Sequence, residues 1–452
     1  MSYPRYTESK ESGIEWIGTV PAHWNVVSIK WLSPVLRGAS PRPIENPEYF
    51  DDGGEYAWVR IADATASDGI LLETTQRLSE LGSSLSVKLQ PNTLFVSIAG
   101  TVGKPCITGI KSCIHDGFVH FPSLRIDQRF LFRIFEAGVC YGGLGKMGTQ
   151  LNLNTDSIGS IRIPVPPENE LKAILIFLEH ELFKIDELAK AFDGLISLLK
   201  EKRQAIISHA VTKGLDPSVS MKDSGIEWLG KVPAHWQVKK VKHIASRISS
   251  GKTPSGGSET YIDAGVTFLR SQNVYDDGLR LDDVAYISDE VDKSMESSRV
   301  ISGDILLNIT GASIGRTCVV PDGFPPANVN QHVCAIRLKN SKETPFFTWY
   351  FKSDCTKKQI DFIQNGAARE GLNFEQIGQF SIPIPTTDEQ SAISKYITFV
   401  VGKLDALISE TLNSISLLQE RRTALISAAV TGKIDVRGLV NVVEQEKILE
   451  SA

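Results

Sequence analysis

Five side chains of this sequence carry the donors and acceptors that nucleic-acid contacts require. Arg60 ends a Trp-Val-Arg triplet and Arg270 ends a Phe-Leu-Arg triplet, and Gln272, Asn273 and Arg369 lie further along. Arginine can pair with O6 and N7 of guanine, and the amides of glutamine and asparagine can pair with N6 and N7 of adenine. We therefore interpret these residues as candidate base contacts. A structural salt bridge is an equally good interpretation of Arg60 and Arg270.

Three glycine-containing segments include a cation that could contact a phosphate. They are Gly100-Thr-Val-Gly-Lys104, Gly311-Ala-Ser-Ile-Gly-Arg316 and Gly251-Lys252-Thr253. Glycines permit a tight loop with exposed backbone N–H groups, which suits a phosphate contact, but a plain β-turn explains the first two segments at least as well. In the third, Ser246 stands where a nucleotide-binding loop has its first glycine. We favour a surface turn there, with a phosphate contact by Lys252 as the alternative.

Signatures of catalysis and of metal binding are missing. The sequence contains no Asn-Pro-Pro-Phe tetrapeptide of amino-methyltransferases, no glycine-rich dinucleotide fingerprint, no His-Glu-x-x-His and no Gly-x-Ser-x-Gly. The six cysteines never form Cys-x-x-Cys, and they lie apart from any histidine cluster. We expect no catalytic residue and no metal ligand here. Free thiols favour a reducing, cytoplasmic location.

Composition limits how this chain could bind nucleic acid. It has 452 residues, 42% of them hydrophobic and 22% charged, which is typical of an ordinary globular protein. The polar start predicts no signal peptide, and no apolar run is long enough to span a membrane. The formal net charge is −5. Because phosphate neutralisation drives non-specific DNA binding, this charge excludes broad wrapping of DNA by the chain alone.

The elements that would position these side chains occur twice. Residues 12–24, Ser-Gly-Ile-Glu-Trp-Ile-Gly-Thr-Val-Pro-Ala-His-Trp, return as residues 224–236 with two changes, and residues 198–212 return as residues 417–431. A repeat of this length indicates a duplicated domain, since solenoid units recur every ~20–50 residues. The ends of the two copies agree, whereas the middles, about 40–150 and 253–370, differ. One scaffold with two variable surfaces is what reading two different ligands or half-sites would require.

Each copy begins with a β-rich part. Residues 93–99, 304–310 and 332–338 are apolar or alternating segments that predict strands. Strands that contain prolines are predicted at residues 161–167 and 380–385. Trp16, Trp24, Trp228 and Trp236 recur identically, which favours packing over base stacking, and His23 and His235 are predicted to be packing or capping residues.

Each copy ends in a long helix with a heptad seam. About 43 residues at 1.5 Å per residue make a helix of about 65 Å, which one small domain could not cover. We predict an antiparallel coiled coil, with Asp193-Gly194 as a weak point. The apolar seam residues are Leu178, Leu182, Ile185, Phe192, Ile196 and Leu199 in the first helix, and Ile397, Val401, Leu404, Ile408, Ile415 and Leu418 in the second.

The predicted fold class is α+β. Two β-rich globular domains are separated by two long antiparallel helices that form a coiled coil, with an internal pseudo-two-fold duplication. The predicted boundaries are 1–167 and 214–386 for the globular domains, 168–213 and 387–436 for the helices, and 437–452 for a C-terminal tail.

These motifs resemble the specificity (S) subunit of type I restriction–modification systems, the HsdS family. The resemblance rests on Ser-Gly-Ile-Glu-Trp-(Ile/Leu)-Gly-x-Val-Pro-Ala-His-Trp opening each half, on Ile-Pro-(Val/Ile)-Pro before each helix, and on Leu-Leu-x-Glu-(Lys/Arg)-Arg near each helix end. It covers residues 12–437. The first half departs in having Glu170-Leu171 where the second has Glu389-Gln390, and Lys213-Gly214 where it has Gly432-Lys433.

The resemblance implies a division of labour. Each globular domain would be a target recognition domain that reads one half of a bipartite double-stranded DNA sequence. The helices would bind two modification subunits, which hold S-adenosylmethionine and methylate adenine, and restriction subunits would use ATP and Mg²⁺ to translocate and cleave. This chain would be non-catalytic and hold no cofactor. A self-sufficient restriction-class enzyme and a protein-only coiled-coil scaffold remain alternatives, and the sequence does not specify which bases are read.

The helix pair would also act as a ruler in such a protein. Removing or adding one heptad in both helices should change the gap between the two half-sites, or abolish function, and leave the bases read unchanged. Mapping of the methylated motif in cells checks this. A change in the bases read with an unchanged gap would refute the idea that helix length sets the gap between the half-sites.

Overall fold

The computed structural model describes residues 3–142, 144, 153–364 and 371–440. Arg369 and the tail beyond residue 440 therefore lie outside the described residues. The chain divides into two compact units. Unit 1 consists of residues up to Phe192 together with residues from Asn413 onward, and unit 2 consists of Asp193–Leu412.

Within the described residues, the first repeat contributes thirteen strands and five α-helices. The strands are β1 (Ser9–Glu11), β2 (Thr19–Pro21), β3 (Asn25–Ser28), β4 (Leu36–Arg37), β5 (Tyr56–Val59), β6 (Ile70–Leu71), β7 (Gln76–Leu78), β8 (Val87–Leu89), β9 (Thr93–Ser97), β10 (Pro105–Thr108), β11 (Ser112–Ile114), β12 (Phe118–His120) and β13 (Arg162–Val165). The helices are α1 (Ile61–Ala66), α2 (Glu80–Ser84), α3 (Gln128–Ala137), α4 (Thr155–Ser160) and α5 (Glu168–Lys213).

The second repeat has a similar order of elements. Its strands are β14 (Met221–Asp223), β15 (Lys231–Pro233), β16 (Gln237–Lys240), β17 (Ala245–Ser250), β18 (Val266–Leu269), β19 (Val274–Tyr275), β20 (Gly278–Leu279), β21 (Ala285–Ile287), β22 (Arg299–Val300), β23 (Ile305–Asn308), β24 (Thr317–Val319), β25 (Ala327–Val329), β26 (Val333–Leu338) and β27 (Ser381–Ile384). Its helices are α6 (Val241–Ile244), α7 (Asp289–Ser294), α8 (Thr344–Phe351), α9 (Asp354–Gln364), α10 (Phe374–Gly378) and α11 (Thr387–Val430).

The sheets of the two repeats correspond, except that β6 adds a fifth strand to the first sheet of unit 1. In unit 1 the orders are β4-β12-β9-β10-β6 and β7-β5-β11-β8, and in unit 2 they are β17-β26-β23-β24 and β21-β18-β25-β22. In both units one strand pair of the second sheet is parallel, β5 with β11 and β18 with β25. The predicted α+β class with an internal duplication is confirmed.

Strand alternation places a central strand of each unit between two hydrophobic cores. In β9, Leu94 and Val96 face a core shared with Trp24 and helix α5, while Phe95 faces a second core that it shares with Phe118. Strand β23 repeats the pattern: Ile305 and Leu307 pack in the core that contains Trp236, and Leu306 packs in another. Because successive side chains of a strand point to opposite faces, such a strand is apolar at every position when both faces are buried.

The two long helices run antiparallel within each unit. In unit 1, Leu178 and Leu182 of α5 share a core with Leu425 and Ile426 of α11. In unit 2, Ile207 of α5 shares a core with Ile393 and Ile397 of α11. The twelve apolar seam residues predicted from the sequence are all buried or half-buried.

Equivalent ion pairs join the helices in the two units. Arg203 Nε lies 2.9 Å from Asp405 Oδ1 in unit 2, and Arg422 Nε lies 3.1 Å from Asp186 Oδ1 in unit 1. The residues correspond at one constant offset in the repeat. Arg422 also pairs with Glu136 of α3 at 2.9 Å, so it links both long helices to the first globular domain.

Helix α11 begins and ends with recognisable capping interactions. The Thr386 N–H donates to Glu389 Oε2 at 3.0 Å, and the Glu389 N–H donates to Thr386 Oγ1 at 3.4 Å, which is the reciprocal pattern of a capping box. The helix ends at Val430, before the sequence-derived boundary at residue 436. Gly432 has a φ of +71° and the Lys433 N–H donates to Ala428 O, which is a typical glycine-terminated helix end.

A carboxylate in the first turn of each long helix binds the start of its repeat. In unit 1, Glu170 accepts hydrogen bonds from Trp24 Nε1 at 2.9 Å and Tyr6 OH at 2.9 Å, and it lies 2.7 Å from His23 Nε2. Both indoles are buried, which agrees with the packing role expected of Trp24 and Trp236. These contacts attach each globular domain to its own helix.

The carboxylate of unit 2 is Glu389. It accepts from Trp236 Nε1 at 3.1 Å and lies 2.9 Å from His235 Nε2. Burial acts to raise the pKa of Glu389, but hydrogen bonds from Thr386, His235 and Trp236 outweigh it and hold the pKa at about 2.

Of the helices in the described ranges, none combines the length and the apolar character needed to cross a bilayer. All six cysteines are unpaired and buried. Burial raises the pKa of Cys140 and of Cys334 to about 12.

Two glycines inside the long helices are unnecessary for the fold. A Cβ added at Gly194 or Gly402 would have no atom within 4 Å, apart from the helix's own backbone. We expect Gly194→Ala and Gly402→Ala each to raise the free energy of unfolding by about 0.5–1 kcal/mol, because glycine is a poor helix former. Gly432→Ala is the matched control and should be destabilising, because its Cβ would overlap Pro21 at a positive φ. Thermal unfolding of the purified chain measures all three, and unchanged or lower stability of the first two contradicts the expectation.

The Glu389 contacts predict a pH dependence. The pKa of Glu389 is about 2 in the folded chain, against an ordinary value of 4.5. A depressed pKa gives stability that is present above pH 4.5 and is lost as the pH falls towards 2. Glu389→Gln should therefore be less stable than the parent chain at pH 6, and the difference should shrink towards pH 2. Unfolding followed across this range checks it, with the exposed neighbour Asp388→Asn as control. A difference that does not depend on pH would refute the assignment.

Candidate functional site

Two loops meet at the same place in each repeat and form a corner. The first corner consists of residues 38–42 and 114–118, and the second consists of residues 251–254 and 329–333. In the first, the Gly38 N–H donates to Phe118 O and the Ala39 N–H donates to Ile114 O, at 2.9 and 3.1 Å. In the second, Gly251 and Lys252 make the equivalent bonds to Val333 O and Val329 O, at 3.1 and 3.2 Å.

Glycine is required at the start of each corner. A Cβ on Gly38 would overlap the carbonyl oxygen of His115, and a Cβ on Gly251 would overlap that of Val329. The loops therefore approach each other through bare backbone. Pro41 and Pro254, three residues after these glycines, are both buried. The backbone frame of the corner is thus the same in the two repeats.

The side chains of the first corner are charged. Asp116 Oδ1 accepts from Ser40 Oγ at 3.0 Å, and Asp116 Oδ2 pairs with Arg42 Nη2 at 3.0 Å. The Arg37 Nε also donates to Asp116 O. Burial acts to raise the pKa of Asp116, but the Ser40 hydrogen bond and the Arg42 charge outweigh it, so the pKa lies below its ordinary value. Asp116 is an ionised hydrogen-bond acceptor with Arg42, whose side chain is 77% exposed, beside it.

The side chains of the second corner are mainly neutral. Gln331 occupies the place of Asp116, and Gln331 Oε1 accepts from Thr253 Oγ1 as Asp116 accepts from Ser40. Gln331 Nε2 lies 3.0 Å from His332 Nε2, and the other ring nitrogen lies 2.6 Å from Thr310 Oγ1. Lys252 is exposed beside this cluster. The two corners share a frame and differ in the chemistry that they present.

Several sequence-derived candidates have structural partners. Lys104 Nζ donates to Thr65 O at 2.6 Å and to Ser67 O at 2.8 Å, which closes the end of α1. The Arg60 N–H donates to Asp63 at 2.9 Å, and the Arg60 guanidinium lies 3.5 Å from the same carboxylate. These contacts fit the structural interpretations of Lys104 and Arg60, although the Arg60 side chain is 43% exposed.

The candidates Arg270, Gln272 and Asn273 meet around Asp283. Arg270 lies 3.3 Å from the Asp283 carboxylate and is largely buried, and Gln272 Nε2 donates to the same carboxylate. Asn273 is 1% exposed, and its amide donates to Arg280 O and Asp283 O while accepting from the Arg270 N–H. The amide oxygen and the amide nitrogen of Asn273 thus both form hydrogen bonds within the domain. In this position the Asn273 amide joins three backbone groups of its own domain.

The remaining candidates lie at the surface or outside the described residues. The Arg316 guanidinium lies 4.8 Å from the ring centroid of Tyr275, and Arg280 lies 3.7 Å from the same ring. Lys252 has no ion-pair partner among the described residues. Arg369 falls in the gap between residues 364 and 371. In the described part of the chain, no cluster of three His, Cys, Asp or Glu side chains could hold a metal ion.

Sequence reasoning missed the residues that distinguish the corners. Ser40, Asp116 and Gln331 were not candidates. The resemblance between Gly38-Ala-Ser-Pro and Gly251-Lys-Thr-Pro was a usable signal for one loop of each corner. The partner loops, Ile-His-Asp-Gly-Phe and Val-Asn-Gln-His-Val, share no residue at any position, so only the backbone hydrogen bonds reveal that they correspond.

Comparison with known protein families gives one match that covers most of the chain. The family model described as the type I restriction modification DNA specificity domain matches residues 21–200 and 233–417. These two matches fall on the two repeats.

Similar proteins include two type I restriction enzyme specificity subunits. The MjaIX specificity subunit of Methanocaldococcus jannaschii is 22% identical over 449 residues, which cover 96% of this chain and 98% of that one. The EcoBI specificity subunit of Escherichia coli is 23% identical over 295 residues, or 63% of this chain and 61% of that one, so this match spans less than two thirds of the relative.

Two solved structures share the fold. A chain from a structure of complex assembly and conformational transition in the type I R-M system has a TM-score of 0.70 at 16% identity, covering 92% of this chain and 99% of that one. The HsdS subunit of Thermoanaerobacter tengcongensis has a TM-score of 0.50 at 16% identity, covering 94% and 100%.

Proposed function

Because the chain belongs to the type I restriction modification DNA specificity family, we propose that it is the DNA-recognition subunit of a type I restriction–modification complex. In this proposal each repeat reads one half of a bipartite double-stranded DNA target. The chain directs adenine methylation and restriction that partner subunits carry out. The observation that carries the proposal is the pair of corners, in which one backbone frame presents two different sets of polar side chains.

Sequence-specific recognition needs such a division between frame and variable side chains. Contacts to phosphates fix the position of a protein on DNA, and contacts to base edges determine which sequence it binds. The exposed cations Arg42 and Lys252, one in each corner, suit phosphate contacts, and the polar groups beside them suit base edges. Two half-sites of different sequence are then read by two copies of one scaffold.

The long helices supply a surface for partner proteins. Leu198 and Leu417 correspond in the repeat, and they are 64% and 63% exposed. Phe183 in unit 1 and Phe399 in unit 2 are also more than half exposed. We propose that these apolar helix surfaces bind two modification subunits, one on each unit, with restriction subunits joining the complex. Contiguous exposed apolar patches, unlike single exposed residues, typically mark sites that bind a partner.

Cofactors belong to the partner subunits in this proposal. S-adenosylmethionine, ATP and Mg²⁺ are bound there, and this chain binds none of them. The net charge of −5 supports a contribution of the partner subunits to DNA binding, because they would neutralise much of the DNA phosphate charge. A cytoplasmic location is also part of the proposal, and six unpaired cysteines support it.

Methylation mapping tests the proposal. Cells that express the modification subunits should carry N6-methyladenine in a split motif, with two defined halves and a fixed gap, when this chain is present. They should lose that methylation when the chain is absent. Cells that express the modification subunits with an empty vector are the matched control. Methylation that does not depend on the chain would refute a role in recognition and favour a protein-only scaffold.

The same measurement can assign the half-sites. Exchanging residues 225–386 for the corresponding domain of a relative should change one half of the motif and leave the other half unchanged. A change in both halves would contradict independent reading. Binding of S-adenosylmethionine by the purified chain alone would instead indicate a self-sufficient enzyme.

A further inference from the structure

The two corners allow individual specificity residues to be assigned. Asp116 and Gln331 occupy the same place, because the backbone bonds that flank them correspond one to one. Each accepts a hydrogen bond from the hydroxyl two residues after the corner glycine, Ser40 in the first corner and Thr253 in the second. The place of the side chain and the hydroxyl that donates to it are therefore equivalent in the two corners. Only the functional group, a carboxylate or an amide, differs.

The exposure of the corners leaves their polar groups accessible. Asp116 has 40% of its side chain exposed, and Gln331 and Thr253 are exposed. This distinguishes them from Asn273, which is buried, and from Lys104, whose amine is bound to two backbone carbonyls. Among the described polar residues at repeat-equivalent positions, this pair combines an equivalent frame, accessibility and different chemistry.

Residual hydrogen-bonding capacity determines what each corner could recognise. An ionised carboxylate has about four acceptor positions, so Asp116 can accept from a further donor after Ser40 and Arg42. The exocyclic N4 amine of cytosine is such a donor in the major groove. The first corner therefore fits a G·C pair.

The amide of Gln331 fits a different base. Its oxygen accepts from Thr253 and its nitrogen contacts His332, which leaves one acceptor lone pair and one N–H donor. Adenine offers the complementary N6 donor and N7 acceptor in the major groove. A carboxylate could not supply the donor. The second corner therefore fits an A·T pair.

We propose that Asp116 and Gln331 are equivalent specificity-determining residues, with Asp116 reading a G·C pair in one half-site and Gln331 reading an A·T pair in the other. This inference rests on the proposed function. It adds the class of base pair that each corner recognises. Ser40 and Thr253 position the two reading groups, and Arg42 and Lys252 lie beside them.

Two substitutions that preserve size test the assignment. Asp116→Asn replaces a pure acceptor with an amide, and Gln331→Glu removes the amide donor. Each should lower discrimination at one base pair by about 10-fold, because the substituted group no longer matches the preferred base edge. Asp116→Asn should relax a G·C position in the first repeat's half-site, and Gln331→Glu should relax an A·T position in the other. All remaining positions should be read as before.

The measurement is binding of the reconstituted complex to DNA duplexes in which each position of the split motif is varied in turn, at one salt concentration. The matched controls are Glu73→Gln and Gln237→Glu, which make the same chemical changes at exposed positions outside the corners. They should leave discrimination unchanged at every position. Circular dichroism of each variant confirms that it folds.

The outcomes separate the inference from the proposed function. If the parent complex prefers no split motif, both are wrong. If the parent complex reads a split motif and the variants discriminate as it does, the assignment of Asp116 and Gln331 is wrong and the proposed function stands. Equal weakening on all duplexes would also overturn the assignment, because it indicates a structural or phosphate-binding role. A loss confined to one position in the expected half-site supports it.

Discussion

The organisation of both units depends on a carboxylate in the first turn of each long helix. Glu170 is 5% exposed and accepts three hydrogen bonds from residues near the start of the chain. Glu389 binds the corresponding His-Trp pair of the second repeat. A buried carboxylate is costly unless it is well bonded, so each helix start and each domain start stabilise one another. Without this attachment, the orientation of the globular domain on the helix would depend on apolar packing and on the remaining polar contacts, such as the pair between Arg422 and Glu136 in unit 1.

The corners illustrate how a duplicated fold can keep its shape while its surface changes. Gly38 and Gly251 hold the loops together through backbone hydrogen bonds, which do not depend on neighbouring side-chain identity. The side chain at the place of Asp116 and Gln331 can therefore be a carboxylate in one corner and an amide in the other, while the backbone hydrogen bonds stay the same. In this chain the two corners already differ, since the side chains of the first are charged and those of the second are mainly neutral.

Much of the fold was predictable because its signals are local in sequence. The opening motif, the strands that contain prolines and the heptad seams each occupy one continuous stretch of sequence in each repeat. Helix α5 spans Glu168–Lys213, and the predicted strand at residues 93–99 is β9 (Thr93–Ser97). Ser40, Asp116 and Gln331 were not predictable, because the two loops of each corner lie about 75 residues apart in the sequence, and one loop of each pair shares no residues with its counterpart. The burial of the Asn273 side chain was not predictable for a related reason, because the sequence gives its amide but not the direction in which the amide points.

The burial of all six cysteines has a practical consequence for spectroscopy. A thiol reacts as its thiolate, so burial and a pKa of about 12, as at Cys140 and Cys334, make such groups slow to alkylate. A single cysteine placed on an exposed loop would therefore take up a maleimide fluorophore or a spin label much faster than the native thiols. Site-specific labels can then be attached to either unit without first removing the natural cysteines and disturbing the cores that they fill.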